Sequence, residues 1–372
     1  MTATTQTATF ETSRGKHLPV DEPACWKGKD LRESRAWQYR LSEGDIAELG
    51  AALRSVRAKK LDLIAIKRED FPLGAFGRKL AELKGEILNG RGFVLLRGFP
   101  VDGYSREDIA ALYWGVGCHL GKQVSQNTRG QLLGHVTDLG TKSGKLKPEV
   151  EKLKDKIFIH PEVRGYSSNE RFFFHVDSCD IVGLMCLHPA KTGGESLVAS
   201  SATIHNEVLK RRPDLMDVLY EPFWVSRKGE IPEGAEPWFR MPMFQIHNGR
   251  FVGHHFPGGI RAGQMMPEIP KLTARQLEAL DLVDEIANDR DIHLSMQLEK
   301  GDIQFLNNLV LTHTRTAYED YPEPERRRHM LRLWLVTPEG RDLPQSFYEW
   351  HGGGRRGGSY VPGMTEVASL EP

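Results

Sequence analysis

The chain has 372 residues, 39% hydrophobic and 27% charged, enough for a packed core without disulfide or zinc staples. Fifty basic residues balance fifty acidic ones, so the positive excess of a dedicated nucleic-acid binder is missing. No apolar run approaches the ~20 residues of a membrane span, and the opening MTATTQTATFETSRGK lacks a secretory apolar stretch. Cys25, Cys118, Cys179 and Cys186 form no CxxC pair, which argues against a disulfide framework and suits a reducing cytoplasm.

Residues 1–40 are polar and predict a tail followed by a packing arm around Trp26 and Trp37. Residues 41–372 then form one domain. Ser42 and Asp45 have capping-box spacing, and Ile46, Leu49, Leu53 and Val56 follow on one helical face. A second helix is expected from about Phe76, with Leu80, Leu83 and Ile87 inward. Residues 92–98 read as a buried strand bounded by glycines. Ser105 and Asp108 cap a third helix carrying Ile109, Leu112 and Val116. From about 122 to 170 the chain turns polar. Lys142 to Lys156 reads as a solvated loop, and an insertion at about 140–170 has the length of an active-site lid.

The second half is strand-rich. Strands are predicted at 171–177, 183–187 and 195–199, and a helix from about Thr203. Residues 243–246 and 250–256 form a hairpin around Asn248-Gly249. A helix capped by Thr273 and Gln276 carries Leu277, Leu280 and Val283 inward. Residues 301–306, 309–314 and 328–336 complete the strands. Many short strands with turn signals predict a sandwich or jelly roll. No GxGxxG or P-loop string opens a helix after a strand.

The string Phe172-Phe-Phe-His175-Val-Asp177 places an imidazole and a carboxylate at i and i+2, one face of a strand. Buried together they require partners or a metal. His313, at the end of Gly301-Asp-Ile-Gln-Phe-Leu-Asn-Asn-Leu-Val-Leu-Thr-His313, is the best third ligand. Two histidines and one carboxylate form the facial triad of non-haem Fe(II) oxygenases, with open positions for a 2-oxo acid and O2. The distal carboxylate of such a cosubstrate needs a cation. Arg328 and Arg332, at i and i+4 of an apolar strand, share a face and are rare there unless paired.

The HxD pair, the Gly193-Gly194-Glu195-Ser196 turn, the GDIQFLNN string to His313 and the closing RRRHMLRLWL together resemble the TauD/TfdA family. These are Fe(II)/2-oxoglutarate-dependent dioxygenases of the taurine dioxygenase type, and the resemblance runs from about residue 90 to 340. It implies an α+β chain with a mainly β core, a double-stranded β-helix (jelly roll) with flanking helices. It implies Fe(II) bound by His175, Asp177 and His313, and 2-oxoglutarate and O2 consumed with release of succinate and CO2. Arg328 aligns with the family's cosubstrate arginine. Ser196 stands where the family places a hydroxyl on the same carboxylate, and is otherwise a turn residue. Arg332 aligns with an arginine that meets a substrate sulfonate in taurine dioxygenase; it equally suits support of the cosubstrate.

Asp177 argues against halogenation, which requires a small residue there, and hydroxylation of an unactivated C–H is the expected outcome. The substrate is expected to be a small polar molecule, with a carboxylate or sulfonate if Arg332 faces it. No nucleic acid or membrane is expected as partner, and by analogy the protein is a homo-oligomer, dimer or tetramer. Gln126 and Asn127 are either substrate contacts or a loop cap. Of His254 and His255 only one can face inward from a strand. Arg315 reads as a structural residue near the metal. The rival readings are a divalent-metal hydrolase and a non-catalytic binding jelly roll using the same three ligands.

Overall fold

A computed structural model describes residues 17–139, 165–352 and 354–372. Residues 1–16 of the expected tail and arm (1–40), and residues 140–164 of the expected lid (about 140–170), lie outside the described residues.

The three capping boxes are all formed. Ser42, Ser105 and Thr273 accept from the backbone N–H three residues on, and Asp45, Asp108 and Gln276 accept in return. They start the helices Glu43–Lys59, Arg106–Leu120 and Ala274–Asn288. Within the last, Leu280 and Val283 are buried as expected, but Leu277 is 43% exposed. The buried stripe runs through Ala279, Leu280, Val283, Ile286 and Ala287. At 100° per residue, Leu277 stands well off the centre of that stripe.

Two sheets carry the site. In the larger, the strands follow the order Gln38–Arg40, Phe93–Arg97, Ile303–Asn307, Ile181–His188, His329–Val336 and Lys122–Gln123; Leu133–Val136 also pairs with His329–Val336. The smaller runs Leu294–Met296, Ser196–Ser200, Leu311–Arg315. The Trp26 and Trp37 rings tilt against Phe93 of the larger sheet.

The period-2 alternation of strands decides what each face meets. Val94, Leu96, Met185, Leu331, Leu333 and Leu335 pack with the helices Glu43–Lys59, Ala75–Asn89 and Arg106–Leu120. Phe93, Leu95, Val182, Cys186, Met330 and Trp334 instead join Val198, Leu294 and Leu311 of the smaller sheet. Arg332 has the parity of Met330 and Trp334, so it projects into the space between the sheets. A further cluster joins helices Ser201–Arg211 and Ala274–Asn288 to the hairpin Phe244–His247/Arg250–Gly253. That hairpin turns at Asn248 (φ 47°) and Gly249 (φ 73°), both left-handed, as an Asn-Gly turn of this kind requires.

One expected strand is different. Residues 171–177 form no regular strand; His175 makes a single antiparallel bridge to His313. The ladder stops because the Asp177 N–H donates to Asn308 Oδ1 at 3.0 Å, and the Val176 N–H donates to the His255 carbonyl at 2.9 Å.

Candidate metal centre

His175 and His313 exchange both backbone hydrogen bonds, each 2.9 Å, which sets their side chains side by side with ring centroids 4.5 Å apart. Asp177 joins them from the turn that follows. Its Oδ1 lies 3.9 Å from His175 Nε2, and its Oδ2 lies 3.7 Å from His313 Nε2. The three ligand atoms all fall within 4.8 Å of one another. The His175 Nδ1–H donates to the Phe173 carbonyl at 3.0 Å, which leaves the Nε2 lone pair facing inward. Asp177 Oδ2 is buried without a hydrogen-bond partner.

The electrostatics put the set in its ligating state. Burial, with His313 alongside, pushes the His175 imidazole down to about 3, and burial lowers His313 as well. Burial alone would raise Asp177; Arg332, His313 and His175 outweigh it and hold the carboxyl below its usual value. Two neutral imidazoles and one carboxylate thus line one cavity, and a divalent cation satisfies all three.

The cavity over this triad is lined by Ser196, Arg328 and Arg332 as well, so the six site residues picked from the sequence converge. Their surroundings differ. Arg328 is buried, and its Nε and Nη1 have no acceptor. Its guanidinium lies 5.0 Å over the Tyr318 ring, and its burial lowers the pKa. Ser196 Oγ donates to Gln304 Oε1 at 3.0 Å, across from the larger sheet. Arg332 is engaged: its Nε donates to Gln126 Oε1 at 2.7 Å and its Nη1 lies 3.5 Å from Asp177 Oδ1. Arg315 donates to the backbone carbonyls of Ser168 and Glu170, a structural role served by carbonyls. Ser226, Lys228, Glu230, Phe256 and Trp350 line the same cavity.

Asn127 caps its own loop, accepting from the Arg129 N–H at 2.9 Å and donating to Gln131 Oε1 at 2.7 Å. His254 and His255 are both buried, against the expectation that only one turns inward. The strand ends at Gly253, so strand alternation no longer governs them, and neither lines this cavity. His255 approaches Asp284 at 3.5 Å and His254 stands edge-on to Trp350. The sequence reading missed Asn308. Besides holding the Asp177 N–H, its backbone N–H donates to the Asp180 carbonyl and its Nδ2 to Cys179 Sγ. Its place in the Asn307-Asn308 turn, just before His313, was the available signal.

Residues 57–334 match the taurine catabolism dioxygenase TauD, TfdA family. The chain belongs to this family. It is 33% identical over 336 residues to "FR-33289 synthase" of Streptomyces rubellomurinus, covering 88% of this chain and 93% of that one. It is 32% identical over 329 residues to "Taurine hydroxylase-like protein SAT17" of Stachybotrys chartarum, covering 86% and 80%. Among solved structures, asparagine oxygenase in complex with Fe(II), a 3-hydroxyasparagine and succinate superposes with a TM-score of 0.58 at 16% identity, covering 81% of this chain and 94% of that one. The non-heme iron oxygenase OrfP, in complex with Fe and alpha-ketoglutaric acid, gives 0.56 at 12% identity, covering 80% and 93%. The jelly-roll expectation holds, and the chain is an Fe(II)/2-oxoglutarate-dependent dioxygenase. The hydrolase and binding-protein rivals fall with that membership. Among the described residues no helix is long and apolar enough to cross a membrane.

Proposed function

We propose that this dioxygenase hydroxylates an unactivated C–H of a small polar molecule, with His175, Asp177 and His313 holding Fe(II) and Arg328 holding the outer carboxylate of 2-oxoglutarate. The observation that carries the assignment is the pairing of two unmet demands in one cavity. Asp177 Oδ2 lacks a partner at the triad, and Arg328 Nε and Nη1 lack one nearby. A cation answers the first and a carboxylate the second, by two parallel charge-assisted hydrogen bonds. The Ser196 hydroxyl, which donates to Gln304 Oε1 in this structure, would turn its one proton to that carboxylate when it binds.

Bound iron supplies O2 activation driven by oxidative decarboxylation of the 2-oxo acid, which yields succinate and CO2. The protein's own part is to place and to shield. Val136, Phe172, Leu184, Leu298, Met330 and Trp334 give the cavity apolar walls that limit water around the reacting groups. Lys228 and Glu230, which follow the strand Phe223–Ser226, also line the cavity, where a substrate would meet them. A molecule carrying a carboxylate or sulfonate would meet Lys228. The same proposal places the enzyme in a reducing cytoplasm, which the free Cys25, Cys118, Cys179 and Cys186 suit, and makes it a homo-oligomer; light scattering reads the latter.

Anaerobic titration of Fe(II) and 2-oxoglutarate tests the site. A metal-to-ligand charge-transfer band near ~500 nm that needs both additions supports bidentate chelation at an open iron. Its absence in folded protein removes the assignment. Succinate release with amino acids, sulfonates and other small anions then identifies the substrate class.

A further inference from the structure

Arg332 was open to two readings, a cation for the substrate or a cation for the cosubstrate. Its contacts point to a third. Its Nε is held by Gln126 Oε1 at 2.7 Å, and its Nη1 faces Asp177 Oδ1 at 3.5 Å. Its guanidinium lies against two rings, 5.1 Å from that of Tyr166 and 4.9 Å from that of Trp334. Gln126 is itself fixed, because its Nε2 donates to the carbonyls of Leu132 and Arg332 at 3.0 and 2.9 Å. Gly134, the register partner of Arg332, leaves room for this amide: a Cβ at Gly134 would stand 2.4 Å from Gln126 Oε1. All four side-chain and backbone groups of the chain Gly134–Gln126–Arg332–Asp177 are buried.

We propose that Arg332 is a positioning residue, locked by Gln126 so that it holds Asp177 Oδ1 and leaves Oδ2 alone to the metal. The inference rests on the metal reading above and deepens it. A carboxylate free to offer both oxygens would take two positions on the ion. One oxygen restrained by a guanidinium leaves the second position to the 2-oxo acid, which needs two. Outer partners of metal ligands act in this way, by fixing orientation and charge.

The test uses Co(II) alone as the probe, bound anaerobically to the full-length protein and read by its visible d–d spectrum, followed by titration with 2-oxoglutarate. Three variants reach Asp177 by different routes. Arg332→Gln removes the cation, Gln126→Leu removes its anchor, and Gly134→Ala displaces that anchor. All three are expected to share one altered Co(II) spectrum and to bind 2-oxoglutarate at least ten-fold more weakly than wild type. A spectrum that is lost in His175→Ala but unchanged in all three variants overturns the positioning role and leaves the metal site standing. A wild-type spectrum that His175→Ala does not change overturns the metal site, and this inference with it. Gly134→Ala keeps every polar group of the chain, so the test survives if Arg332→Gln fails to fold.

Discussion

Replacing Arg328 with Met should move cosubstrate affinity and protein stability in opposite directions. Arg328 is 5% exposed, and two of its guanidinium nitrogens have no acceptor. A buried charge without a partner is a liability to the fold. Met has similar length, is neutral, and keeps the backbone N–H donation to Asp320 Oδ1 at 2.7 Å. The ligand-free protein should therefore be as stable as wild type or more so. The two-point contact to a carboxylate, in contrast, is lost outright. A buried charged pair of this kind is worth ~2–5 kcal/mol, so 2-oxoglutarate should bind roughly 30- to 4,000-fold more weakly. Anaerobic titration with Fe(II) present reads the affinity, and denaturant melts without metal or cosubstrate read the stability. A change in affinity below about three-fold would refute the assignment. So would a variant several kcal/mol less stable without ligand, since that would make Arg328 a structural residue whose needs are met by the protein.

Other expectations follow from the same contacts. Asp177→Ala should abolish substrate oxidation and leave the two histidines too few to hold iron tightly; equilibrium dialysis of Fe(II) and succinate assays check both. Asn308→Ala leaves the Asp177 N–H buried without an acceptor, an expected loss of ~1–3 kcal/mol, with weaker metal binding because the ligand turn is freed. Asn308→Asp, which keeps an acceptor oxygen, should recover much of the metal affinity. Stability should also fall below neutral pH. His254, His329 and His351 are held neutral by burial, each near about 3, and His205 near about 4. The unfolded chain takes up these protons near pH ~6.5, so it binds more protons than the folded one between there and pH ~4. Stability is then complete above that range and lost as pH falls through it, by up to ~1.4 kcal/mol per pH unit for each group. Denaturant melts at pH 7 and pH 5 would show it; equal midpoints would refute it.

The sequence was most legible where one local interaction decides the structure. The capping boxes at Ser42, Ser105 and Thr273 and the Asn248-Gly249 turn each need only three or four neighbouring residues, and all form. The metal triad was legible for a different reason: a carboxylate and two imidazoles in apolar strings have few other uses. Readings that depended on where a strand ends went wrong. The segment before Asp177 leaves the ladder because the Asn308 side chain takes its N–H, and no local pattern records that competition. His254 and His255 sit beyond the last paired residue, so alternation had no force there. The pair Phe223–Ser226 and Trp238–Met241 escaped notice because a connection with Pro232 and Pro237 breaks the pattern that marks a hairpin.

The roles of the cavity arginines could not be separated by sequence because their residue type and neighbourhood are alike. Arg328 and Arg332 stand four residues apart on one face, and Arg315 and Arg227 line the same cavity. Their partners separate them. Arg227 donates to the carbonyls of Glu236, Trp350 and Glu349, and Arg315 to those of Ser168 and Glu170. Arg332 is divided between Gln126 and Asp177. Among these four, Arg328 alone has buried N–H groups without an acceptor. Burying a guanidinium is unfavourable unless something meets it. Three of these guanidinium groups have partners within the fold, and in the proposed function the fourth would find its partner in the cosubstrate. That arrangement would tie the cation to a ligand the enzyme needs in every turnover. In the proposed function the choice of substrate would fall to other lining residues, Lys228 and Glu230 among them. Exchanging Lys228 for Glu should therefore change which small molecules trigger succinate release while leaving the Fe(II)–2-oxoglutarate charge-transfer band in place. A band lost together with substrate response would place Lys228 with the cosubstrate instead.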